Sequence, residues 1–376
     1  MKIVIFRTGG SILDYKTYNC QEIGLAKSLS AMGHEVYVLM AGSKLTRDVT
    51  ENDNPVTIYT LPFKSINQAL SLFQGWKLIL SDIDPDIIQI HEFGMLMSYM
   101  VVNWAKKRNI PTVLIQGPYE PTRKPLFKQL EVMFNKTFGK YILNNVAGIG
   151  CKTIRASEYI CSYSERNTMI TPVGLDLERF STTTDRDWRK DLNIKNKKVL
   201  LYVGKLEPRR NPLFLVEIAK NLPSDYVMLI AGDGPQFESA QEQAKGYERI
   251  IFLGKLTQQQ LPSLYRQSDL FLLASDYEIF GMVIMEAMYF GVPVISSDTA
   301  GAETLISNWD DGIIEKKMDV DTWVKDLCSL LNDKKRYGQI AEHAAKKAEN
   351  HFPWKFAALK FIDLYESCLR KSSCKN

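Results

Sequence analysis

The sequence has few of the residues that bind metals or form disulfides. Its 376 residues include six cysteines and four histidines, and the cysteines are scattered without a Cys-x-x-Cys pair. Neither a zinc site nor a disulfide framework is therefore expected. Free thiols in a reducing compartment are the simpler interpretation.

The sequence also lacks a long hydrophobic run. No stretch of about 18 residues is apolar without a charge, and even the region after Leu270 is interrupted by Asp276, Glu278 and Glu286. A transmembrane helix is therefore not expected. The first ten residues, MKIVIFRTGG, include Arg7 and show no signal-peptide core, so we expect a cytoplasmic protein.

The excess of charge is small. The formal net charge is +4, and it lies in the first half of the chain. Residues 1–180 contain 20 Lys and Arg against 16 Asp and Glu, whereas residues 181–376 contain 27 of each class. So small an excess argues against nucleic-acid binding.

One segment of the first half, residues 123–140, combines basic and apolar side chains. Such a mixture could dock on an anionic membrane, which would place the protein peripherally on the inner face of the cell membrane. The alternative, which the sequence favours, is an amphipathic surface helix whose aromatic side chains face the core. The residues concerned are Arg123, Lys124, Lys128, Lys136 and Lys140, with Leu126, Phe127, Phe134 and Phe138.

Short apolar segments alternate with helical segments in both halves of the chain. This alternation is typical of parallel α/β sheets, and because it restarts after a loop it predicts two doubly wound domains. Their boundary is expected near residues 180–195, and a cleft between two such sheets would be the natural ligand site. The predicted strands are 2–7, 35–40, 55–60, 87–91 and 112–116, then 198–203, 227–231, 250–253, 269–275 and 292–296.

Two glutamates follow the predicted strand 269–275. Glu278 lies in the turn after this strand, and Glu286 lies inside an apolar helix predicted to begin near Gly281 and to end at Gly291. Such a turn lies at the carboxyl edge of a parallel sheet, where ligands bind and helix amides attract anions. Because a glutamate is rarely buried without a partner, something must meet the oxygens of Glu286, and a hydroxylated group attached to an anion at the helix amides could lie within its reach. The alternative is a core acid satisfied by a neighbouring amide or hydroxyl, with Glu278 a solvated turn acid.

A glycine turn or a group of cations follows the first strand of each half. Gly10 follows the strand 2–7 and could bring backbone amides close to a phosphate, or could simply form a tight turn. Lys205, Arg209 and Arg210 follow the strand of the second half and could hold a diphosphate through charge-assisted hydrogen bonds. The alternative for Arg209 is a solvated side chain. Neither segment matches a dinucleotide fingerprint or a P-loop.

Together, these segments resemble the retaining, nucleotide-sugar-dependent glycosyltransferases of the GT-B architecture, of the family 4 or group 1 type. The resemblance implies an α/β fold with two Rossmann-like, doubly wound domains facing each other across a cleft. Residues 1–180 would form the acceptor-side domain, completed by a C-terminal helix at about 354–376, and residues 195–352 would bind the nucleotide sugar. The matching segments include KIVIFRTGGS, SAMGHEVYVLM, DPDIIQIHEFG, YVGKLEPRRNP and LIAGDGP, together with the block from Glu278 to Glu286.

The family pattern implies a role for each matching residue. Glu278 would contact hydroxyls of the donor sugar, and Glu286 would accept hydrogen bonds from both ribose hydroxyls. Lys205 and Arg210 would stabilise the diphosphate, and Gly10 would lie close to the donor phosphates. The turn residues expected against the sugar and phosphate are Ile279, Phe280, Gly281 and Met282.

The acceptor side departs from the family pattern. Gln116 replaces a histidine, and although its amide can hydrogen-bond a sugar it cannot move a proton. His91, at the end of another strand, matches a His-Glu pair of the family. It is predicted either to face the acceptor, where it would count among the catalytic residues, or to be a capped, structural histidine.

The resemblance implies transfer of a sugar from a nucleoside diphosphate sugar, with a UDP-sugar favoured, to an acceptor hydroxyl with retention at the anomeric carbon. The acceptor would be a glycan or a lipid-linked saccharide of bacterial cell-surface polysaccharide synthesis. No metal and no other cofactor are expected, because Lys205 and Arg210 already face the phosphates and no Asp-x-Asp pair is placed like a metal clamp. Two alternatives remain: a non-catalytic nucleotide-sugar-binding scaffold, and a sugar phosphorylase on the same fold.

Overall fold

The computed structural model describes residues 1–15, 20–50, 54–123, 125–181 and 184–373. Its contacts divide the chain into two compact units, Met1–Gly174 with Trp354–Asn376, and Leu175–Pro353. The first unit thus ends slightly before residue 180, where the sequence pattern places the end of the first domain. The chain returns to it at Trp354, and positions 374–376 of the predicted C-terminal helix lie outside the described residues.

The first unit contains a nine-stranded sheet. Its strands are β1 (Lys2–Phe6), β2 (Glu35–Gly42), β3 (Thr46–Val49), β4 (Val56–Ser65), β5 (Ser71–Phe73), β6 (Ile87–His91), β7 (Thr112–Gln116), β8 (Gly148–Cys151) and β9 (Met169–Ile170). The order is β3-β4-β2-β1-β6-β7-β8-β9, with β5 paired to β4. β3 and β5 run antiparallel to β4, and the other pairs are parallel.

The central strands of this sheet are buried on both faces. Every side chain of β7 is buried, as are those of β6 before His91, which is typical of a parallel sheet covered by helices on both sides. Because β1, β6 and β7 are parallel, their carboxyl ends lie at one edge, and Gly10, His91 and Gln116 are all found there. The helices are α1 (Gln21–Ala31), α2 (Trp76–Ile83), α3 (Leu96–Lys106), α4 (Pro125–Phe134), α5 (Lys140–Asn145) and α6 (Ile154–Cys161), with a π-helical turn at Asn135–Gly139.

The second unit contains a six-stranded parallel sheet. Its strands are β10 (Lys198–Val203), β11 (Tyr226–Ala231), β12 (Ile250–Gly254), β13 (Leu270–Leu273), β14 (Val294–Ser297) and β15 (Ile313–Glu315). The helices are α7 (Trp188–Asp191), α8 (Pro212–Lys220), α9 (Phe237–Gln243), α10 (Leu261–Arg266), α11 (Met282–Tyr289), α12 (Ala300–Leu305), α13 (Val320–Asn332) and α14 (Lys334–His351), followed by α15 (Trp354–Ser373) of the first unit.

The strand order of the second sheet, β12-β11-β10-β13-β14-β15, reverses its direction between β10 and β13. At such a switch point the two neighbouring strands send their following helices to opposite faces of the sheet and leave a crevice at their carboxyl ends, where α/β proteins bind ligands. The loop after β10 carries Lys205 and Arg210, and the loop after β13 carries Glu278. The topology therefore brings together two loops that are distant in sequence.

The C-terminal helix α15 packs on the first unit. The Tyr365 hydroxyl donates a hydrogen bond to Gln89 of β6. The Trp354 indole lies against Gly24 and Gly174, where an added Cβ would come within 2.1 Å and 2.5 Å of the ring atoms, so only glycine leaves room for it. None of the described helices is long and apolar enough to span a membrane.

Candidate active site

Glu278, which follows β13, is buried rather than solvated. Only 9% of the residue's surface is exposed. Arg210 Nη1 donates a hydrogen bond to Glu278 Oε2. The alternative of a solvated turn acid is therefore wrong. Burial is possible because the loop after β10 places a guanidinium beside the carboxylate, a charge-assisted pair that sequence spacing alone could not reveal.

Arg210 has hydrogen-bonding capacity beyond this pair. Nη1 also lies 3.4 Å from Ser275 Oγ, while the buried Nε has no hydrogen-bond partner among the described residues. A guanidinium carries five N–H donors, so several can meet an anion. Arg209 is different, since it bonds Glu207 and the carbonyl of Tyr277 at the surface.

Lys205 is the most exposed cation of this loop. Its side chain is 65% exposed, and Nζ lies 3.8 Å from Glu207 Oε2. An ion pair of this length at the surface is weak. The ammonium can therefore exchange this carboxylate for a more highly charged group such as a phosphate.

The turn before α11 presents backbone donors. Gly281 caps the helix at φ +85°, a left-handed conformation that favours glycine, and Gly291 ends it at φ +69°. Within the described part of the chain, the amides of Ile279, Phe280 and Gly281 donate no hydrogen bond. Free amides at a helix N-terminus attract anions. Phe280 is buried under this turn, while Ile279 and Met282 are half-buried.

Glu286 lies in α11 and is 5% exposed. The Tyr265 hydroxyl donates a hydrogen bond of 3.0 Å to its Oε2, so the protein supplies one of the partners that the sequence pattern left open. No hydrogen bond to Oε1 is found in the described residues. Burial raises the pKa of Glu286 to about 7, although the Tyr265 hydrogen bond and the charge of Arg179 oppose this shift.

Tyr265 of α10 was not predicted from the sequence. Its ring stacks on Phe290 with centroids 5.6 Å apart, which fixes the hydroxyl toward Glu286. A signal was present, because a tyrosine that follows Leu261 and Leu264 in a short helix is expected to be buried, and its hydroxyl must then find a partner. The sequence did not show that this partner lies on another helix.

Gly10 and Gln116 of the first unit both use their polar groups within the protein. The amide of Gly10 donates to the Gln68 carbonyl at 3.1 Å. An added Cβ would lie 1.9 Å from Ser71 Oγ, which explains the glycine. Gln116 Oε1 accepts from the Phe93 amide and Nε2 donates to the Pro118 carbonyl. Their roles toward phosphate and acceptor stay predictions.

Both ring nitrogens of His91 have protein partners. Nε2 lies 2.8 Å from Gln89 Nε2 and Nδ1 lies 3.5 Å from Glu22 Oε1. Because the Gln89 amide can only donate, Nε2 must accept, and the hydrogen bond network assigns the proton to Nδ1. Burial lowers the pKa of His91 to about 4. This geometry fits a structural histidine, and a catalytic or acceptor-facing role stays a prediction.

Glu22 is the centre of a buried charged cluster that the sequence did not indicate. Arg7 Nε lies 3.7 Å from Glu22 Oε1, and Lys152 donates to the neighbouring Gln21. Burial alone would raise the pKa of Glu22, but the surrounding charges lower it to about 2. The largest of these effects is that of His91, which is protonated in the acid range where Glu22 titrates. It is followed by those of Arg7 and Lys152, whose charges remain at pH 7. Arg7 and Lys152 directly follow β1 and β8, a position that could have identified them.

The described residues contain no group of three or more His, Cys, Asp or Glu side chains placed to hold a metal ion.

Two family models match the chain, one in each half. Residues 23–179 match the model of Glycosyltransferase Family 4, and residues 184–347 match the model of Glycosyl transferases group 1. The candidate site around Glu278 and Glu286 lies inside the second match.

Curated relatives are similar over part of the chain. An Escherichia coli protein named UDP-Gal:alpha-D-GlcNAc-diphosphoundecaprenol alpha-1,3-galactosyltransferase is 31% identical over 206 residues, which cover 52% of this chain and 51% of the relative. A D-inositol 3-phosphate glycosyltransferase of Corynebacterium urealyticum is 28% identical, covering 55% of this chain and 52% of the relative. The chain thus spans about half the length of these curated relatives.

Solved structures match over nearly the full length. Sucrose-phosphate synthase from Thermosynechococcus elongatus has a TM-score of 0.80 at 19% identity, covering 98% of this chain and 99% of that one. The Anabaena protein HepE, solved in complex with UDP-glucose, has a TM-score of 0.73 at 17% identity, covering 98% and 100%. At these identities the likeness shows the fold, which is the expected GT-B fold. With one family model matching each half, the chain belongs to the group 1, family 4 type of GT-B glycosyltransferases.

Proposed function

We propose that this protein transfers a sugar from a UDP-sugar to an acceptor hydroxyl with retention at the anomeric carbon. The observation that carries the proposal is the site at the switch point of the second sheet. There Glu278, which is paired with Arg210 from the loop after β10, is followed along the polypeptide by the free amides before α11 and then by Glu286 with its open oxygen. Glu286 is about 6 Å along the helix from Met282.

This spacing fits the three parts of a nucleotide sugar. The diphosphate would lie at the amides of Ile279 to Gly281, the hexose hydroxyls at Glu278, and the ribose hydroxyls at Glu286. Glu286 Oε1 has acceptor capacity left, and ribose hydroxyls are donors. The uridine preference rests on relatives, since HepE was solved with UDP-glucose and the name of the E. coli relative contains UDP-Gal.

Catalysis would be mainly electrostatic. As the bond between the anomeric carbon and the diphosphate breaks, negative charge grows on the leaving oxygen, where Lys205, Arg210 and the turn amides would stabilise it. The acceptor oxygen forms its new bond to carbon on the same face, and its proton passes to the leaving phosphate. Such a step requires no proton transfer by His91, whose ring nitrogens are occupied.

The acceptor in this proposal is a glycan or a lipid-linked saccharide of bacterial cell-surface polysaccharide synthesis. The support is the E. coli relative, whose name describes a saccharide on diphosphoundecaprenol. Transfer would proceed in the cytoplasm. Two cations at the phosphates leave no need for a metal, so we expect EDTA to leave the transfer rate unchanged.

A thermal-shift screen of UDP-, GDP- and ADP-sugars tests the donor, because a bound donor stabilises the folded protein by mass action. We expect UDP-sugars to give the largest shift. Product from pooled acceptors, analysed by NMR, should keep the anomeric configuration of the donor, and an inverted product would refute retention. UDP-sugar binding without turnover would favour the scaffold, and turnover with phosphate but without nucleotide would favour the phosphorylase.

A further inference from the structure

The helical segment 125–145 of the first unit turns an apolar side toward solvent. It consists of α4, the π-helical turn and α5. The prediction that its aromatic side chains face the core is wrong for Phe127 and Phe138. The exposed fractions are 41% for Phe127, 53% for Leu130, 62% for Met133 and 43% for Phe138.

These side chains form one continuous surface. At about 100° per residue, Phe127, Leu130, Met133 and Phe134 fall within an arc of about 120° on α4. Asn135, which is 1% exposed, points to the other side. Helices on a protein surface normally show the reverse arrangement, with the apolar arc inward.

The π-helical turn keeps Phe138 on the same surface. Its ring centroid is 5.2 Å from that of Phe134 and 4.8 Å from that of Tyr99 on α3. The exposed apolar groups therefore form a contiguous patch rather than scattered single residues. Patches of this kind mark interaction surfaces.

The charges around the patch are positive. Lys136 and Lys140 are exposed, while Lys128, also exposed, lies about 100° from Phe127 on the side of α4 away from the patch. Glu131, the one acidic residue in the sequence from 125 to 145, is half-buried and accepts a hydrogen bond from the Thr122 amide. The sequence also places Lys124 and Leu126 in this segment. Lys124 and the side chain of Leu126 lie outside the described part of the structure.

We propose that this patch, formed by Phe127, Leu130, Met133 and Phe138 and flanked by Lys136 and Lys140, docks on an anionic lipid bilayer. The apolar side chains would enter the boundary between headgroups and acyl chains, and the lysines would meet anionic headgroups. A second copy of the chain fits less well. A two-fold contact through this patch would bring the lysines of both copies together, without exposed acids in the segment to neutralise them.

The proposed function rests on other residues, and it supplies the reason for docking. A lipid-linked acceptor is held in the bilayer, so an enzyme that rests on the bilayer meets it without extracting it. The two ideas can fail separately, because one concerns the surface of α4 and the other the loops after β10 and β13.

Co-sedimentation with vesicles tests the patch directly. We expect the protein to bind vesicles of phosphatidylglycerol and phosphatidylcholine, to bind pure phosphatidylcholine vesicles roughly tenfold less, and to be released by salt. The variants Leu130→Ser/Met133→Ser and Lys136→Glu/Lys140→Glu should each bind at least about tenfold less to the anionic vesicles. Both change exposed side chains, so the fold should persist.

The matched control is Lys77→Glu/Leu78→Ser on α2, another exposed basic and apolar pair of the same unit. It should bind vesicles like the unchanged protein. The proposal would be overturned by unchanged protein that stays in the supernatant, by equal losses in the control, or by a dimer in sedimentation velocity that only the patch variants dissociate. Calorimetric titration with UDP should give the same affinity for the unchanged protein and for all these variants. If none of them bound UDP, the proposed function would be refuted and not the docking patch.

Discussion

Two glutamates of this protein are equally buried and differ in almost everything else. Glu22 in the first unit is 7% exposed and Glu286 in the second is 5% exposed. The cations around Glu22 lower its pKa to about 2, whereas burial raises the pKa of Glu286 to about 7 in spite of the opposing hydrogen bond from Tyr265. The partners of a buried carboxylate, and not its burial, therefore decide its ionisation.

This difference separates a structural site from a ligand site. Glu22 receives compensating charge from Arg7 within its own unit and interacts with His91. Glu286 accepts a hydrogen bond from one hydroxyl, that of Tyr265, on one of its two oxygens. A carboxylate whose compensation is incomplete in the free protein has capacity for ligand hydroxyls, and four experiments can break or sharpen this distinction.

The largest effect is expected from Glu22→Gln. The change removes the main anion beside Arg7 and Lys152, which should lower the free energy of unfolding of the first unit by about 3–5 kcal/mol. Chemical denaturation followed by circular dichroism measures it, with Glu286→Gln as the matched control in the other unit. A stable Glu22→Gln protein would mean that the cluster does not depend on this charge.

The pH dependence of stability should have opposite signs for the two residues. The folded pKa of Glu22 lies below its usual 4.5, so its stabilising contribution is present above about pH 4.5 and is lost as the pH falls toward 2. The folded pKa of Glu286 lies above 4.5, so its contribution is present below about pH 4.5 and is lost as the pH rises through 7. Each difference is worth roughly 3 kcal/mol.

Unfolding curves recorded from acid to neutral pH measure these two contributions. Relative to the unchanged protein, Glu22→Gln should become less stable as the pH rises from 2 to about 4.5. Glu286→Gln should gain relative stability between pH 4.5 and about 7. If the stability of both variants followed that of the unchanged protein at a constant difference across this pH range, the distinction between the two sites would be removed.

The third experiment measures nucleotide binding by Glu286→Gln. The carboxylate accepts hydrogen bonds through both oxygens and carries charge, whereas the amide has one acceptor oxygen and no charge. Losing charge-assisted bonds to ribose should cost about 1.5–3 kcal/mol, or roughly 10–100-fold in the Kd for UDP. Calorimetry should show this loss while Glu22→Gln, if folded, binds UDP normally. An unchanged Kd would exclude the ribose assignment.

The sequence predicts the fold better than it predicts the site. The runs that form β6, β7 and β10 are mostly apolar and are buried on both faces, and their predicted bounds agree with the structure. β3 and β8 were not predicted, because TRDV is polar and GIGC is short and rich in glycine. Such strands are fixed by pairing with neighbours, which periodicity does not contain.

The site shows the same limit more sharply. The positions of Glu278 and Glu286 on a turn and a helix follow from local pattern. Their partners Arg210 and Tyr265 come from other loops and helices, and only the order of strands brings them together. Local pattern therefore gives the residues of a site, and tertiary contacts give their charge states.

The smallest effect is expected from Tyr265→Phe, which tests the difference at its origin. The ring and its stacking on Phe290 remain, and only the hydroxyl that bonds Glu286 is lost. Because that bond lowers the pKa of Glu286, its loss should raise this pKa further, so less carboxylate is ionised at neutral pH. UDP should then bind a few-fold more weakly near neutrality, at a cost of about 1 kcal/mol, and recover as the pH is raised. A weakening that is equal at every pH would mean that Tyr265 acts by packing alone. The pKa of Glu286 would then be set by burial and not by the hydrogen bond from Tyr265.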